Sequence, residues 1–132
     1  MTSIAFETKR LAAPTDVIAP DGLEVRLLCA TARGSMAHFR LRPGEVAKAV
    51  AHRTVDEIWY VSTGSGRIWR KTAEQEEVTL LEPGVSLTIP TGTQFQFRCD
   101  GDTPLDIVAV TMPPWPGENE AFLVDGKWSL PA

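Results

Sequence analysis

Cysteine and histidine are scarce in this sequence, and long apolar runs are absent. The 132 residues include two cysteines and two histidines, too few for a disulfide framework or a cysteine-based zinc site. Cys29 and Cys99 are therefore expected to be buried free thiols. Because no run of about 18 apolar residues occurs, we expect no membrane-spanning helix.

A surplus of basic residues is missing as well, since the formal net charge is -4. Proteins that bind nucleic acids need a basic face, so no nucleic-acid partner is expected. The first residues, MTSIAFETKR, lack the apolar stretch of a secretory signal, which predicts a cytoplasmic protein. The length suits one domain spanning residues 1–132.

Helical periodicity is also nearly absent. Only FETKRLAA, from Phe6 to Ala13, could form a short helix. Ten prolines and ten glycines separate short runs that are rich in β-branched and aromatic residues and therefore predict strands. These runs are LEVRLLCA, SMAHFRL, EIWYVS, GRIWRK, EEVTLLE, VSLTI, QFQFRC and LDIVAVTM. About eight to ten antiparallel strands in one domain favour an all-β sandwich, barrel or jelly roll.

The segment 113–132 begins with prolines that end the last predicted strand. It then carries four large apolar side chains, Trp115, Phe122, Val124 and Trp128. We expect an apolar strap that covers the barrel or a neighbouring subunit. A partly ordered tail is the alternative.

Several motifs occur in a specific order, namely RPGE, HRTVDE, IWYVSTGSG and then EPGVSLTIPTGTQFQF. The earlier motif contains His52, Glu57 and Gly64, and the later one contains Gly84, Pro90 and Gly92. This order resembles the cupin family over about residues 34–112. The resemblance implies a jelly-roll β-barrel, and it further implies a homodimer.

The resemblance also implies a metal site of three histidines and one glutamate inside the barrel. At those positions this chain has Val50, His52, Glu57 and Phe95, and valine and phenylalanine donate nothing to a metal ion. No cofactor is therefore certain, and a divalent metal ion bound weakly by His52 and Glu57 stays an open alternative.

Two further side chains could complete such a site. His38 could do so if the strand SMAHFRL turns it inward, although a lone histidine is more often a satisfied barrel residue. Gln94 could offer its amide oxygen, but strict alternation places it on the face opposite Phe95 unless the strand contains a bulge.

His52 and Glu57 could also act without a metal, as a general acid and base, as a polar ligand-binding pair or as a structural hydrogen bond. A neighbouring carboxylate is expected to raise the pKa of His52. Alternation places Trp59 on the face of Glu57, while Phe95 and Phe97 share a face. If both faces line the interior, they form an aromatic ligand pocket. Otherwise these aromatics simply pack the core.

The arginines along the strands are typical of solvated faces, where cross-strand pairing with Glu76, Glu77 and Asp100 is possible. They are Arg40, Arg67, Arg70 and Arg98.

Two classes of function stay open. The first is a protein that binds or senses a small hydrophobic or sugar-like metabolite in a barrel with a degenerate metal site. The alternative is a metal-dependent small-molecule enzyme of dioxygenase, isomerase, cyclase or lyase type that uses His52 and Glu57. The fold does not choose between them.

Overall fold

The computed structural model describes residues 5–12, 17–18 and 23–130, and every regular element within them is a strand. In chain order the strands are β1 (Val17–Ile18), β2 (Glu24–Ala30), β3 (Ser35–Leu41), β4 (Val50–His52), β5 (Asp56–Thr63), β6 (Gly66–Lys71), β7 (Glu76–Leu81), β8 (Ser86–Ile89), β9 (Gln94–Cys99), β10 (Leu105–Met112) and β11 (Ala121–Leu123). The predicted all-β fold is confirmed. The short helix is wrong, because residues 6–12 are not helical, and Ala13 lies outside the described residues.

The strands form two antiparallel sheets that face each other. Sheet A has the order β1-β2-β3-β10-β5-β8, and sheet B has the order β11-β4-β9-β6-β7. One hydrophobic core takes side chains from both sheets, as in a jelly roll. No helix among the described residues is long and apolar enough to cross a membrane.

Alternation along the strands decides which side chains enter the core. On β5, Glu57, Trp59 and Val61 are buried. On β9, Phe95 and Phe97 face the same core. The Trp59 ring lies edge-on to both phenylalanines, with centroids 5.9 and 4.8 Å apart. The aromatic side chains that the sequence places inside the barrel are therefore packed against one another.

The C-terminal segment lies against sheet B. Its strand β11 pairs with β4. Further along, the backbone N–H groups of Lys127 and Trp128 donate to Gln96 Oε1 over 3.0 and 2.8 Å. Gln96 Nε2 in turn donates to the Trp128 carbonyl oxygen over 2.9 Å. Because Gln96 alternates with Phe95 and Phe97, it holds this segment on the outer face of β9.

Surface charges and thiols follow the sequence-based predictions in part. Arg67 and Arg98 both pair with Asp100, at 2.8 and 2.7 Å. Both cysteines are free; Cys99 is buried, but Cys29 is only half-buried. The prediction of two buried thiols is therefore correct for Cys99 alone.

Candidate functional site

His52 and Glu57 lie at the same end of the barrel. Glu57 on β5 is the register partner of Ile89, the last residue of β8. In the turn that follows, the Gly92 N–H donates to the His52 carbonyl oxygen over 3.1 Å. The two side chains are only 5% and 2% exposed. An imidazole and a carboxyl group are therefore buried near one mouth of a largely apolar interior.

The His52 ring is enclosed by aromatic side chains. Phe95 and Trp115 meet it edge-on, with centroids 5.2 and 5.0 Å away, and Nδ1 has no hydrogen-bond partner within the described part of the chain. Burial lowers the pKa of His52 to about 4, and the Glu120 carboxylate only partly opposes this. The expected rise in the pKa of His52 is therefore wrong, because burial outweighs the neighbouring charge.

Glu120 is the site residue that sequence reasoning missed. The backbone N–H groups of Thr54 and Val55 donate to its Oε2 over 2.6 and 3.0 Å, and the Thr54 hydroxyl donates to Oε1. Burial alone would raise the pKa of this carboxyl group, but the hydrogen bonds outweigh burial, and the pKa lies below its ordinary value. The partners are more than 60 residues apart, so no local motif indicates this contact.

Trp115 packs edge-on against His52 and is itself partly exposed. The residue is 38% exposed, and its backbone N–H donates to Ser35 Oγ over 2.9 Å. The Ser35 hydroxyl is also hydrogen-bonded to Thr111 Oγ1, 2.6 Å away. The start of the C-terminal segment is thus tied to β3 and β10 directly beside His52.

Trp59 adds a second unsatisfied polar atom to the interior. The side chain is 1% exposed, and its indole Nε1 has no hydrogen-bond partner among the residues described. By contrast, Trp69 Nε1 donates to Glu76 Oε2 over 2.8 Å. A buried indole N–H normally has an acceptor, so the environment of Trp59 is unusual.

His38 and Gln94 lie on outer faces and do not join this group. Phe39 and Leu41 contact the core, so alternation turns His38 to the other side of β3. There His38 Nε2 lies 3.4 Å from Asp106 Oδ1. Burial lowers the pKa of His38, and Asp106 opposes that shift. Gln94 shares the outer face with Gln96, as the alternation argument predicts.

The interior does not fit a resident divalent metal ion. Val50 and Phe95 are register partners, and both side chains belong to the hydrophobic core. Over the described residues, no group of three or more histidine, cysteine, aspartate or glutamate side chains is placed to hold a metal ion. A stable protein site needs at least three such donors, and the described side chains do not bring three together.

The fold and the site together define a small jelly-roll barrel with buried polar groups at one end. The family model described as "Cupin domain" matches residues 37–111, which is more than half of the chain. The chain belongs to the cupin family.

Solved structures agree with this fold at low sequence identity. KdgF from Halomonas sp. is 16% identical, with 80% of this chain and 94% of that chain covered at a TM-score of 0.66. An uncharacterized conserved protein with a double-stranded beta-helix domain from Klebsiella pneumoniae is 18% identical, with 94% and 99% covered and a TM-score of 0.66. Oxalate decarboxylase from Bacillus subtilis is 16% identical, with 93% and 33% covered and a TM-score of 0.76. These likenesses support the fold alone.

Proposed function

We propose that this chain binds a small organic molecule at the barrel end that contains His52 and Glu57, without a resident metal ion. The Phe95 ring contacts both His52 and Trp59, so Trp59 is included in this site. The observation that carries the proposal is the pair of buried polar atoms, His52 Nδ1 and Trp59 Nε1, that lack hydrogen-bond partners in the described residues. Leaving such an atom unsatisfied costs about 1–3 kcal/mol. A ligand that brings hydrogen-bonding groups removes that penalty.

The side chains around these two atoms indicate the chemical class of the ligand. Phe95 and Phe97 flank the Trp59 ring, which favours a flat or hydrophobic molecule with a polar group, and sugar-like metabolites are the other class that such a surface accepts. Because the Trp115 ring covers His52, the ligand reaches the imidazole when that ring moves aside.

Replacing Trp59 with phenylalanine tests this proposal. The change removes Nε1 but keeps an aromatic ring, so we expect ligand affinity to fall by about tenfold, as for the loss of one buried hydrogen bond. The measurement is a thermal-shift screen with small aromatic and sugar-like compounds, followed by calorimetry on any compound that binds. Chelator treatment should leave the affinity unchanged.

The matched control is Trp69→Phe. Trp69 is also buried, but its indole already has Glu76 as an acceptor. We expect this variant to lose stability and to keep ligand affinity. Equal affinity in wild type and Trp59→Phe, or a failure of every compound to bind, would count against the proposed site.

A second candidate function is supported by the protonation state of His52. Since burial lowers its pKa to about 4, the imidazole is neutral near pH 7, and its free Nδ1 can accept a proton from a bound substrate. Glu57 would then be the second reacting group. An enzyme of this kind should lose turnover in Glu57→Gln, whereas a binding protein has no turnover to lose.

We also propose that the chain forms a homodimer through the outer face of sheet A. Val110 has Met36 and Ile58 as its cross-strand partners, and these two side chains are 39% and 45% exposed. Tyr60 extends the apolar row with 51% exposure. Because each chain carries a net charge of -4, two copies repel least where these uncharged side chains meet.

Replacing Ile58 with glutamate should therefore separate the dimer, since a two-fold interface would bring two added negative charges together. Light scattering after size exclusion should give twice the chain mass for wild type and the chain mass for Ile58→Glu. Val78→Glu adds the same charge at a 44% exposed valine on sheet B and should stay dimeric. A monomeric wild type at high micromolar concentration would contradict the proposal.

A further inference from the structure

A groove of about 180 Å³ opens where the two sheets meet at their edges. Strand β8 is one edge of sheet A and β7 is one edge of sheet B, and the two are not paired. The lining residues are Arg70, Lys71, Thr72, Gln75, Glu77, Thr88, Pro90 and Thr93. Neither His52 nor Glu57 belongs to this lining, so the groove is separate from the site described above.

Arg70 crosses this junction between the sheets. Its register partner Phe95 faces the core, so Arg70 belongs to the inner side of β6, and the prediction of a solvated face is wrong for it. Its Nη1 donates to the Thr88 carbonyl oxygen over 2.8 Å, and Nη2 donates to Glu77 Oε1 over 2.6 Å. The remaining guanidinium nitrogen, Nε, is buried and has no partner within the described ranges.

Thr93 provides a second unsatisfied group in the same lining. The residue is 3% exposed, and no described residue is hydrogen-bonded to its Oγ1. Buried hydroxyl groups are nearly always hydrogen-bonded, to protein or to an ordered molecule. Arg70 and Thr93 both line the groove, and each has a buried polar atom that can donate and that has no acceptor among the described residues.

The charged side chains that line the groove indicate which kind of hydrogen-bond acceptor it would bind. The charged side chains are Arg70, Lys71 and Glu77, which together carry one positive charge. Lys71 is exposed and takes part in none of the ion pairs formed by the described residues. A single net positive charge suits a monoanion better than a dianion.

We propose that this groove binds a small carboxylate, whose oxygens accept hydrogen bonds from Arg70 Nε and Thr93 Oγ1 while Lys71 supplies the balancing charge. A groove of about 180 Å³ has room for several water molecules, and it therefore admits a small organic acid. Carboxylates accept hydrogen bonds from arginine and hydroxyl donors at short range.

The test is a titration of the full chain with sodium acetate at constant ionic strength, with sodium chloride replaced in step. Backbone amide NMR signals of Lys71 and Thr93 should shift and saturate. Sodium phosphate at pH 8, mostly a dianion, should bind more weakly than acetate. Chloride alone should produce no saturating shift.

Thr93→Val keeps the side-chain shape and removes the hydroxyl group. Because no residue in the described part of the chain is hydrogen-bonded to Oγ1, this variant should be as stable as wild type, while acetate affinity should fall about tenfold. Lys71→Met should also weaken binding, and Lys48→Met, an exposed lysine outside the groove, should not.

Acetate binding that neither Thr93→Val nor Lys71→Met weakens would overturn this assignment, as would shifts that chloride reproduces. If Thr93→Val fails to fold, Lys71→Met against Lys48→Met decides the question. His52→Phe should leave acetate binding intact, so this site and the barrel-end site can fail independently.

Discussion

Val50→His combined with Phe95→His is expected to turn the barrel interior into a divalent metal site. The two residues are register partners on β4 and β9, and paired positions place their Cβ atoms about 4.5–5.5 Å apart. His52 lies two residues from Val50 on the same strand, and its ring is already beside Phe95. With Glu57, the variant would have the four donors that the family pattern implies.

The expected result is about one equivalent of zinc per chain by plasma mass spectrometry, removable by chelator. Wild type, purified without a histidine tag, should contain well below one equivalent, and His52→Ala should not change that value. Zinc at a hundred times its Kd should also stabilise the double variant against unfolding by about 2.7 kcal/mol.

The matched control places two histidines on an outer face. Lys71 and Gln94 are register partners on β6 and β9, so Lys71→His with Gln94→His adds the same groups where only two donors meet. This pair should bind zinc far more weakly. Stoichiometric metal in wild type would contradict the conclusion that Val50 and Phe95 remove the site.

Protonation of His52 is expected to destabilise the fold as the pH falls from 6.5 to 4. The pKa of His52 is about 4 in the folded chain, against an ordinary value near 6.5 when the chain is unfolded. Between these values the unfolded state binds more protons, so stability is full above pH 6.5 and is lost toward pH 4. The shift corresponds to roughly 3 kcal/mol.

The measurement is the free energy of urea unfolding at steps between pH 7 and pH 4, in wild type and in His52→Phe. The pKa values of His38 and several carboxyl groups are also lowered, but the phenylalanine variant keeps His38 and Asp106. The difference between the two curves therefore isolates His52. Glu120 loses its attraction to the imidazolium in the variant, which is a smaller contribution because burial is the larger cause of the shift.

Imidazole NMR signals give an independent readout, since the chain has two histidines and the variant identifies each. His52 should titrate near pH 4. A His52 that titrates near 6.5, together with parallel stability curves, would show that Trp115 and Phe95 do not keep the ring dry.

Much of the fold could be predicted because alternation and turn residues are local signals. All eight runs identified in the sequence are strands in the structure, namely β2, β3 and β5 to β10. The strands that were missed, β1, β4 and β11, have two or three residues each. A stretch of two or three residues is too short to show the alternation of inward and outward side chains. It becomes extended only because a neighbouring strand offers it hydrogen bonds.

The candidate site was predictable in part for the same reason. Motif spacing identified His52 and Glu57, and alternation put Trp59 and Phe95 inside the barrel. Glu120 and the contact of Trp115 with His52 could not be predicted, since the contacts with Thr54 and His52 join segments more than 60 residues apart. The predicted direction of the shift in the pKa of His52 was wrong, because the burial that lowers this pKa depends on those distant residues.

The sequence by itself determined the strands, the inward side of most of them and the loss of two metal-ligand positions, all of which depend on residue identity and near-neighbour spacing. Only the tertiary structure decided that Trp115 and Glu120 meet at His52, and that Arg70 turns inward to bridge the sheets. Those arrangements depend on strand register and on the closure of two sheets over one core, which bring residues together that no local pattern links.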